Sequence, residues 1–372
     1  MNIIVAGDYC PQNRVAFAFE KRQYEEVLGE VKPILASSDY SIVNFECPVT
    51  NSEGKPISKL GPNLYCDQTG VDALKWGGFN CVTLANNHFR DYGDEGVRKS
   101  LSSFTQNGID YVGGGMSINE ASQILYKEIG GEILAIINCC EHEFSIASDN
   151  VAGSNPLNPI QQYYDIQEAK TKAHYVLIVV HGGHEYYQLP SPRMQETYRF
   201  FVDAGADAVV NHHQHCFSGY EIYKKKPIFY GLGNFCFDWK GKRKSPWNEG
   251  YMVKIAFSSN KVEYEIISYN QCDDTPSVAI LDGMLAEYNL RKICDLNAII
   301  KDKFEIKKRY DNYIENSSNL GTVFSPFSGR ILNALCARGI IPSFISAKKR
   351  KQLLAYIQCE SHFPKVIKYL KR

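Results

Sequence analysis

Residues 81–93 read CVTLANNHFRDYG, an apolar run from Cys81 to Ala85 that stops at Asn86-Asn87-His88. Five residues, four of them apolar around Thr83, suit a buried strand and are too few for a helix, and the polar triplet ends the run. The stretch therefore reads as a strand with reactive side chains at its C-terminal end. The same pattern recurs along the chain. Residues 3–6 precede Gly7-Asp8, residues 40–43 precede Asn44-Phe45-Glu46, and residues 176–180 precede His181. Residues 208–210 precede Asn211-His212-His213, residues 227–232 precede Gly233-Asn234, and residues 134–137 form a further run. Amphipathic stretches such as 94–107 and 191–204 lie between them and fit helices. Alternating β and α patterns predict a layered α/β domain. In such sheets the ends of the strands carry the chemistry, because the strand fixes the backbone while the loop frees the side chain.

Size and charge set the outer limits. With 372 residues and 44% hydrophobic content, the chain can bury one large domain and a smaller appendage. The net charge of zero gives no overall field toward nucleic acid, and no nucleic-acid partner is expected. That zero hides a division: residues 1–290 carry 24 basic and 35 acidic side chains, whereas 291–372 carry 17 and 6. The character changes after about residue 272. We expect a domain over 1–272 and a basic, mainly helical region over 273–372, broken at Ser325-Pro326 and Pro342. The basic region, with its run Lys348-Lys349-Arg350-Lys351, could dock on an anionic membrane surface or polymer. MNIIVAGD enters a strand pattern directly and no stretch is apolar enough to span a membrane, so a cytoplasmic location is expected. The 12 cysteines lie mostly in apolar runs without C-x-x-C spacing, as reduced buried thiols do.

The polar strand ends supply Asp8, Glu46, Asn87-His88, His181-x-x-His184-Glu185 and His212-His213-x-His215. All are oxygen or imidazole donors, a set that suits Mn, Fe, Zn or Mg better than a thiolate-bound structural zinc. One or two divalent ions held there would clamp an anionic group and activate a water at neutral pH. A lone histidine after a strand is more often an ordinary loop residue. Five such elements at successive strand ends point to a shared site.

In order and spacing, several blocks resemble the CapA family of capsule and poly-γ-glutamate synthesis proteins. They are Gly7-Asp8, Asn44-Phe45-Glu46, Asn86-Asn87-His88-x-x-Asp91-Tyr92-Gly93, His181-Gly182-Gly183-His184-Glu185, His212-His213-Gln214-His215 and Gly233-Asn234-Phe235-Cys236-Phe237-Asp238. The resemblance covers roughly residues 1–270. It looks like a branch of the calcineurin-like metallophosphoesterases, which implies a four-layer αββα sandwich of two mixed sheets. By this resemblance Asp8, Glu46, Asn87, His181, His213 and His215 are the metal ligands. His88 is the histidine that meets the substrate on the leaving-group side. The implied activity is metal-dependent hydrolysis of an anionic substrate in capsule synthesis; the alternative is a non-catalytic assembly subunit that meets capsule-synthesis proteins.

Two positions depart from that pattern. Cys10 stands where D-x-H has histidine, so one ion would have a thiol ligand, lack a ligand, or take another donor such as His184. Asn211 stands where glycine is usual and is expected to adopt the same left-handed turn. Strand alternation is expected to put His213 and His215 on one side. Arg14 is a candidate clamp for a substrate anion. Asn44, Asp91, His184, Glu185 and His212 are candidate outer partners of the ligands. Glu141-His142-Glu143, after an apparent strand over 133–139, could reach the same cleft. Residues 113–115, three glycines, read as a turn.

Overall fold

The computed structural model describes residues 1–51, 54–259, 261–317 and 329–338, with positions 340, 341, 346, 348–351, 353 and 370 beyond them. Its strands in chain order are β1 (Asn2–Tyr9), β2 (Tyr40–Phe45), β3 (Cys81–Thr83), β4 (Asp110–Val112), β5 (Gly114–Gly115), β6 (Leu125–Ile129), β7 (Glu132–Cys140) and β8 (Gly153–Ser154). There follow β9 (Tyr175–His181), β10 (Ala208–His212), β11 (Tyr220–Tyr223), β12 (Lys226–Phe229), β13 (Asn234–Cys236), β14 (Glu249–Phe257), β15 (Val262–Gln271) and β16 (Val278–Ile280). One sheet has the order β16-β15-β14-β1-β2-β3-β4, with β13 also paired to β1. The other has the order β11-β12-β10-β9-β7-β6. Both are mixed. β1 to β4 run parallel beside antiparallel β14. The parallel set β12, β10, β9 and β7 is edged by antiparallel β11 and β6.

Alternation along each strand builds three apolar layers. Ile3, Val5, Tyr40 and Ile42 of the first sheet meet Leu177, Val179, Ala208 and Val210 of the second. Ile4, Ala6, Val43 and Phe45 turn outward to helices Asn13–Glu20, Gln68–Gly77 and Gly93–Asn107. Val176, Ile178, Val180 and Val209 turn outward to helices Pro159–Lys172 and Pro192–Ala204. The result is an αββα sandwich. The helix Pro192–Ala204 shows how local sequence sets its ends: Ser191 accepts from the Met194 amide, Pro192 occupies the first turn, and the chain leaves at Gly205.

One compact unit spans Met1–Lys307 and a second spans Lys308–Arg372. Within the first, helix Gly283–Lys301 buries Ile293 and Ile300, and Asn297 Oδ1 accepts from the Tyr220 amide at 2.6 Å. It thereby occupies an amide of edge strand β11. In the second unit, Arg330–Ala337 is helical, and Lys348 to Lys351 are exposed in helical conformation. Ser325-Pro326 and Pro342 lie outside the described residues. No described helix is long and apolar enough to cross a membrane. Cys10, Cys47, Cys66, Cys81, Cys139, Cys140, Cys216, Cys236 and Cys272 are buried free thiols, and Cys294 is an exposed one.

The glycine run at 113–115 is more than a turn: β5 pairs with β8. Gly113 has φ +87°, and a Cβ there would lie 1.9 Å from Asn138 Oδ1. Only glycine permits that approach.

Candidate metal centre

The site forms where the C-terminal ends of β1, β2, β9 and β10 face one another across the sandwich. Alternation places Asn44 and then Glu46 on the inner face after Tyr40 and Ile42, and His181 on the inner face after Leu177 and Val179. Asp8 reaches it by a different route. In register with β2, Ala6 pairs with Val43 and Asp8 with Asn44, so Gly7 is an extra residue in a bulge. Unbulged alternation would send Asp8 outward with Ile4 and Ala6; the bulge turns it inward.

Asn44 Nδ2 donates to Asp8 Oδ1 at 2.7 Å and lies 3.2 Å from His181 Nδ1. The His181 Nε2 lies 3.0 Å from Asn87 Oδ1, 3.0 Å from His213 Nδ1 and 3.6 Å from Glu46 Oε1. His215 Nε2 lies 3.7 Å from Glu46 Oε1, while its Nδ1 lies 2.9 Å from Asn234 Oδ1 and 3.6 Å from Asp8 Oδ2. Trp247 packs on the His215 ring, with centroids 4.7 Å apart, and Phe237 meets it edge-on at 5.5 Å. Among the described residues two ligand groups emerge, Glu46–His181–His213 and Asp8–Glu46–His215, each with its donor atoms within 4.8 Å of one another. Glu46 is common to both.

Whether these residues suit a cation is decided by Glu46. Its side chain is fully buried, and among the described residues neither oxygen has a hydrogen-bond donor. An ionised carboxylate in that state costs several kcal/mol unless a cation neutralises it. Burial, and then the Asp8 charge, push the Glu46 carboxyl well above its ordinary range. Burial also opposes ionisation of Asp8, but His212, His215 and Asn44 outweigh it and hold that group low. Burial followed by the neighbouring imidazoles drives His181 well below its ordinary value, and burial followed by His215 brings His213 down to about 3. Neutral rings with free lone pairs around an orphaned carboxylate are a donor set for a divalent ion.

His88 sits beside this cluster, its Nδ1 2.6 Å from Asp91 Oδ2. Asp91 also accepts from the Leu64 amide at 2.7 Å and pairs with Lys59, whose Nζ is 3.0 Å from His88 Nδ1. Burial lowers His88, against the pull of Asp91.

Not every expected residue converges. Arg14 is committed elsewhere: Nε and Nη2 grip Asp238 at 3.0 and 2.8 Å, and the remaining bonds go to the carbonyls of Cys272, Asp273 and Asp274. It is a clamp between chain segments. Cys10 accepts from Gln12 Nε2 at 3.4 Å and packs in the outer layer with Cys47 and Cys236. Neither Cys10 nor His184 belongs to a ligand group. Glu185 is exposed and His184 half-buried. His212 stands 3.2 Å from Asp8 Oδ1, off the direction of a hydrogen bond.

Two local expectations are corrected. Asn211 lies in β10, its amide nitrogen donating to the carbonyls of Gly182, His212 and Tyr230 while Oδ1 accepts from Tyr198. The left-handed residues are His213, with φ +91°, and His215, with φ +55°. These turns, not strand alternation, aim the two rings, and they aim them into different ligand groups.

Lys59, Asn138 and Asn234 escaped the sequence reading as site residues. Asn138 Oδ1 accepts from the amides of Leu84 and Ala85 at 3.0 and 2.7 Å, which fixes the start of the Asn86-Asn87-His88 loop. A polar residue inside the apolar run 133–139 was its visible signal, and the Gly233-Asn234 block held that of Asn234. Nothing local marks Lys59.

The bacterial capsule synthesis protein family PGA_cap matches residues 2–239. The chain belongs to this family. The capsule biosynthesis protein CapA of Bacillus anthracis is 30% identical over 329 residues, 85% of this chain and 79% of that protein. The PGA biosynthesis protein CapA of Bacillus subtilis strain 168 is 30% identical over 292 residues, 77% and 76% of the two chains. Among solved structures, a hypothetical protein from Thermus thermophilus aligns with TM-score 0.45 and 15% identity over 72% of this chain and 99% of its own. A 5'-nucleotidase from Candida albicans SC5314 aligns with TM-score 0.41 and 9% identity over 85% and 57%. In this PGA_cap chain, both ligand groups and the His88–Asp91 pair fall within the matched residues.

Proposed function

We propose that this PGA_cap chain is a metal-dependent hydrolase acting on an anionic substrate in capsule or poly-γ-glutamate synthesis. The observation that carries the reading is Glu46, a buried carboxylate without a donor that is shared by two ligand groups. Asp8, Glu46, Asn87, His181, His213 and His215 would hold one or two ions, with Mn, Fe or Zn matching the oxygen and imidazole donors. A bound ion supplies Lewis acidity toward an anionic oxygen and an acidified water.

The chain's own residues do the rest. Asn44 anchors Asp8 by donating from Nδ2 to Oδ1. Asp91, itself anchored by the Leu64 amide, accepts from the Nδ1–H of His88 and leaves Nε2 for the substrate. His88 thus holds or moves a proton at Nε2 on the leaving side. Trp247 and Phe237 exclude water from one flank of His215. The protein acts in the cytoplasm, and its exposed Lys348 to Lys351 segment offers contact to an anionic membrane surface or to capsule-synthesis proteins.

A second reading, a non-catalytic assembly subunit, is favoured by Cys10: the Asp8–Glu46–His215 group has three donors where the superfamily pattern would add a histidine. Metal content and metal-stimulated phosphodiester hydrolysis separate the two. For the hydrolase, His88→Ala keeps the metal and loses most turnover, while His213→Ala loses metal. Co-purification of a synthase partner, with metal bound but no turnover in isolation, would instead support the subunit.

A further inference from the structure

Glu143 stands in the loop after β7, behind two donors of the same ligand group. Its Oε1 is 3.5 Å from His213 Nε2, and its Oε2 accepts from Asn87 Nδ2 at 3.4 Å. The opposite ends of those two side chains converge. His213 Nδ1 and Asn87 Oδ1 each lie 3.0 Å from His181 Nε2, the atom that also faces Glu46. One carboxylate therefore accepts from the outward N–H of an amide and faces the outward nitrogen of an imidazole, and the inward atoms of both side chains point into the ligand group.

That matters because each side chain has a wrong way to sit. A neutral imidazole carries its proton on one nitrogen only, and a proton on Nδ1 of His213 would block the donor atom. An amide turned by half a rotation presents NH₂ inward, where a cation would be repelled. A carboxylate beside both outward nitrogens favours a proton on each and so disfavours both alternatives at once.

We propose that Glu143 is a positioning residue of the Glu46–Asn87–His181–His213 site, selecting the His213 tautomer and the Asn87 amide orientation that present lone pairs to a divalent ion. This rests on the reading of the cluster as a metal centre. The loop that carries Glu143 is secured without its side chain. Ser145 Oγ donates to the Asn87 carbonyl at 2.8 Å and accepts from the Arg90 amide at 3.1 Å. Glu143 itself is about a third exposed, at 35%. Its removal should leave the fold in place.

The test is titration of the metal-free full chain with Co²⁺ against a competing chelator, following the visible cobalt spectrum. Wild type, Glu143→Ala and Glu143→Gln are compared, with metal-free melting as the control on folding. Loss of both contacts in Glu143→Ala weakens the tighter equivalent by roughly 10- to 100-fold and alters the spectrum. Glu143→Gln, whose amide oxygen can still accept from one N–H, recovers part of the affinity, and all three melt alike without metal. Wild-type affinity and spectrum in Glu143→Ala would sink this proposal alone, as would a Gln variant no better than Ala. No cobalt uptake by the wild type would sink the metal reading and this proposal with it.

Discussion

At the scale of single residues, the site is organised around one uncomfortable group. Glu46 is buried beside Asp8 with no donor, an arrangement that destabilises the metal-free protein and is relieved by a cation. Glu46→Gln should therefore raise the melting temperature of the metal-free protein, by about 1–3 kcal/mol of stability, while abolishing high-affinity metal uptake. Calorimetry with and without metal checks both halves, and a Gln variant that melts lower in the metal-free state would contradict the account. The two ligand groups are also unequal. One can draw on Glu46, Asn87, His181 and His213; the other has Asp8, Glu46 and His215, with Cys10 turned into the outer layer. Metal titration should resolve one tight and one weaker equivalent, and two equal equivalents would show that a donor has been missed.

At the scale of elements, strand geometry does the positioning, and the Gly7 bulge in β1 matters most. A Cβ on Gly7 would come within 2.0 Å of the Gly233 carbonyl oxygen, backbone that cannot swing aside. Gly7→Ala should cost about 3 kcal/mol in urea denaturation and lower metal uptake, because the displaced β1 carries Asp8 with it. The Arg14 clamp makes a contrasting case. Arg14→Ala leaves the buried Asp238 carboxylate with Arg243 as its remaining guanidinium partner and should lose about 2 kcal/mol of stability. Metal stoichiometry should stay unchanged, because none of Arg14's bonds reaches the ligand groups. A loss of metal without loss of stability would return Arg14 to the site.

At the scale of the molecule, the cluster couples folding to pH. Folding depresses His181 and His213 below the unfolded value of 6.5, the latter to about 3. In that window the unfolded chain binds more protons, so this contribution to stability is present above pH 6.5 and is lost as pH falls. Glu46 works in the opposite sense, since its raised carboxyl stabilises the folded state at low pH and loses that contribution as pH rises. Metal binding needs neutral rings and an ionised Glu46, so acid weakens it on both counts. The melting shift produced by saturating metal should be largest above pH 6.5 and shrink steadily below it. A shift independent of pH would mean that the metal binds elsewhere.

The donors and their order are written in the linear chain. Short apolar runs ending in Asp8, Glu46, Asn87, His181 and His213 were legible because strand length and the change from apolar to polar are local properties. The layered α/β class was legible for the same reason. The folded sandwich alone settles which donors fall into one group, and why Arg14 is absent while Lys59 and Glu143 are present. Those outcomes rest on contacts between residues far apart in the chain, such as His213 with His181 and Arg14 with Asp238. They also rest on backbone departures that period-two alternation does not encode: the bulge that turns Asp8 inward and the left-handed turns at His213 and His215. A pattern of hydrophobicity reports which face of a strand is buried. It does not report where a loop from the other sheet will place a lysine or a carboxylate, because that position is fixed by packing of the whole sandwich.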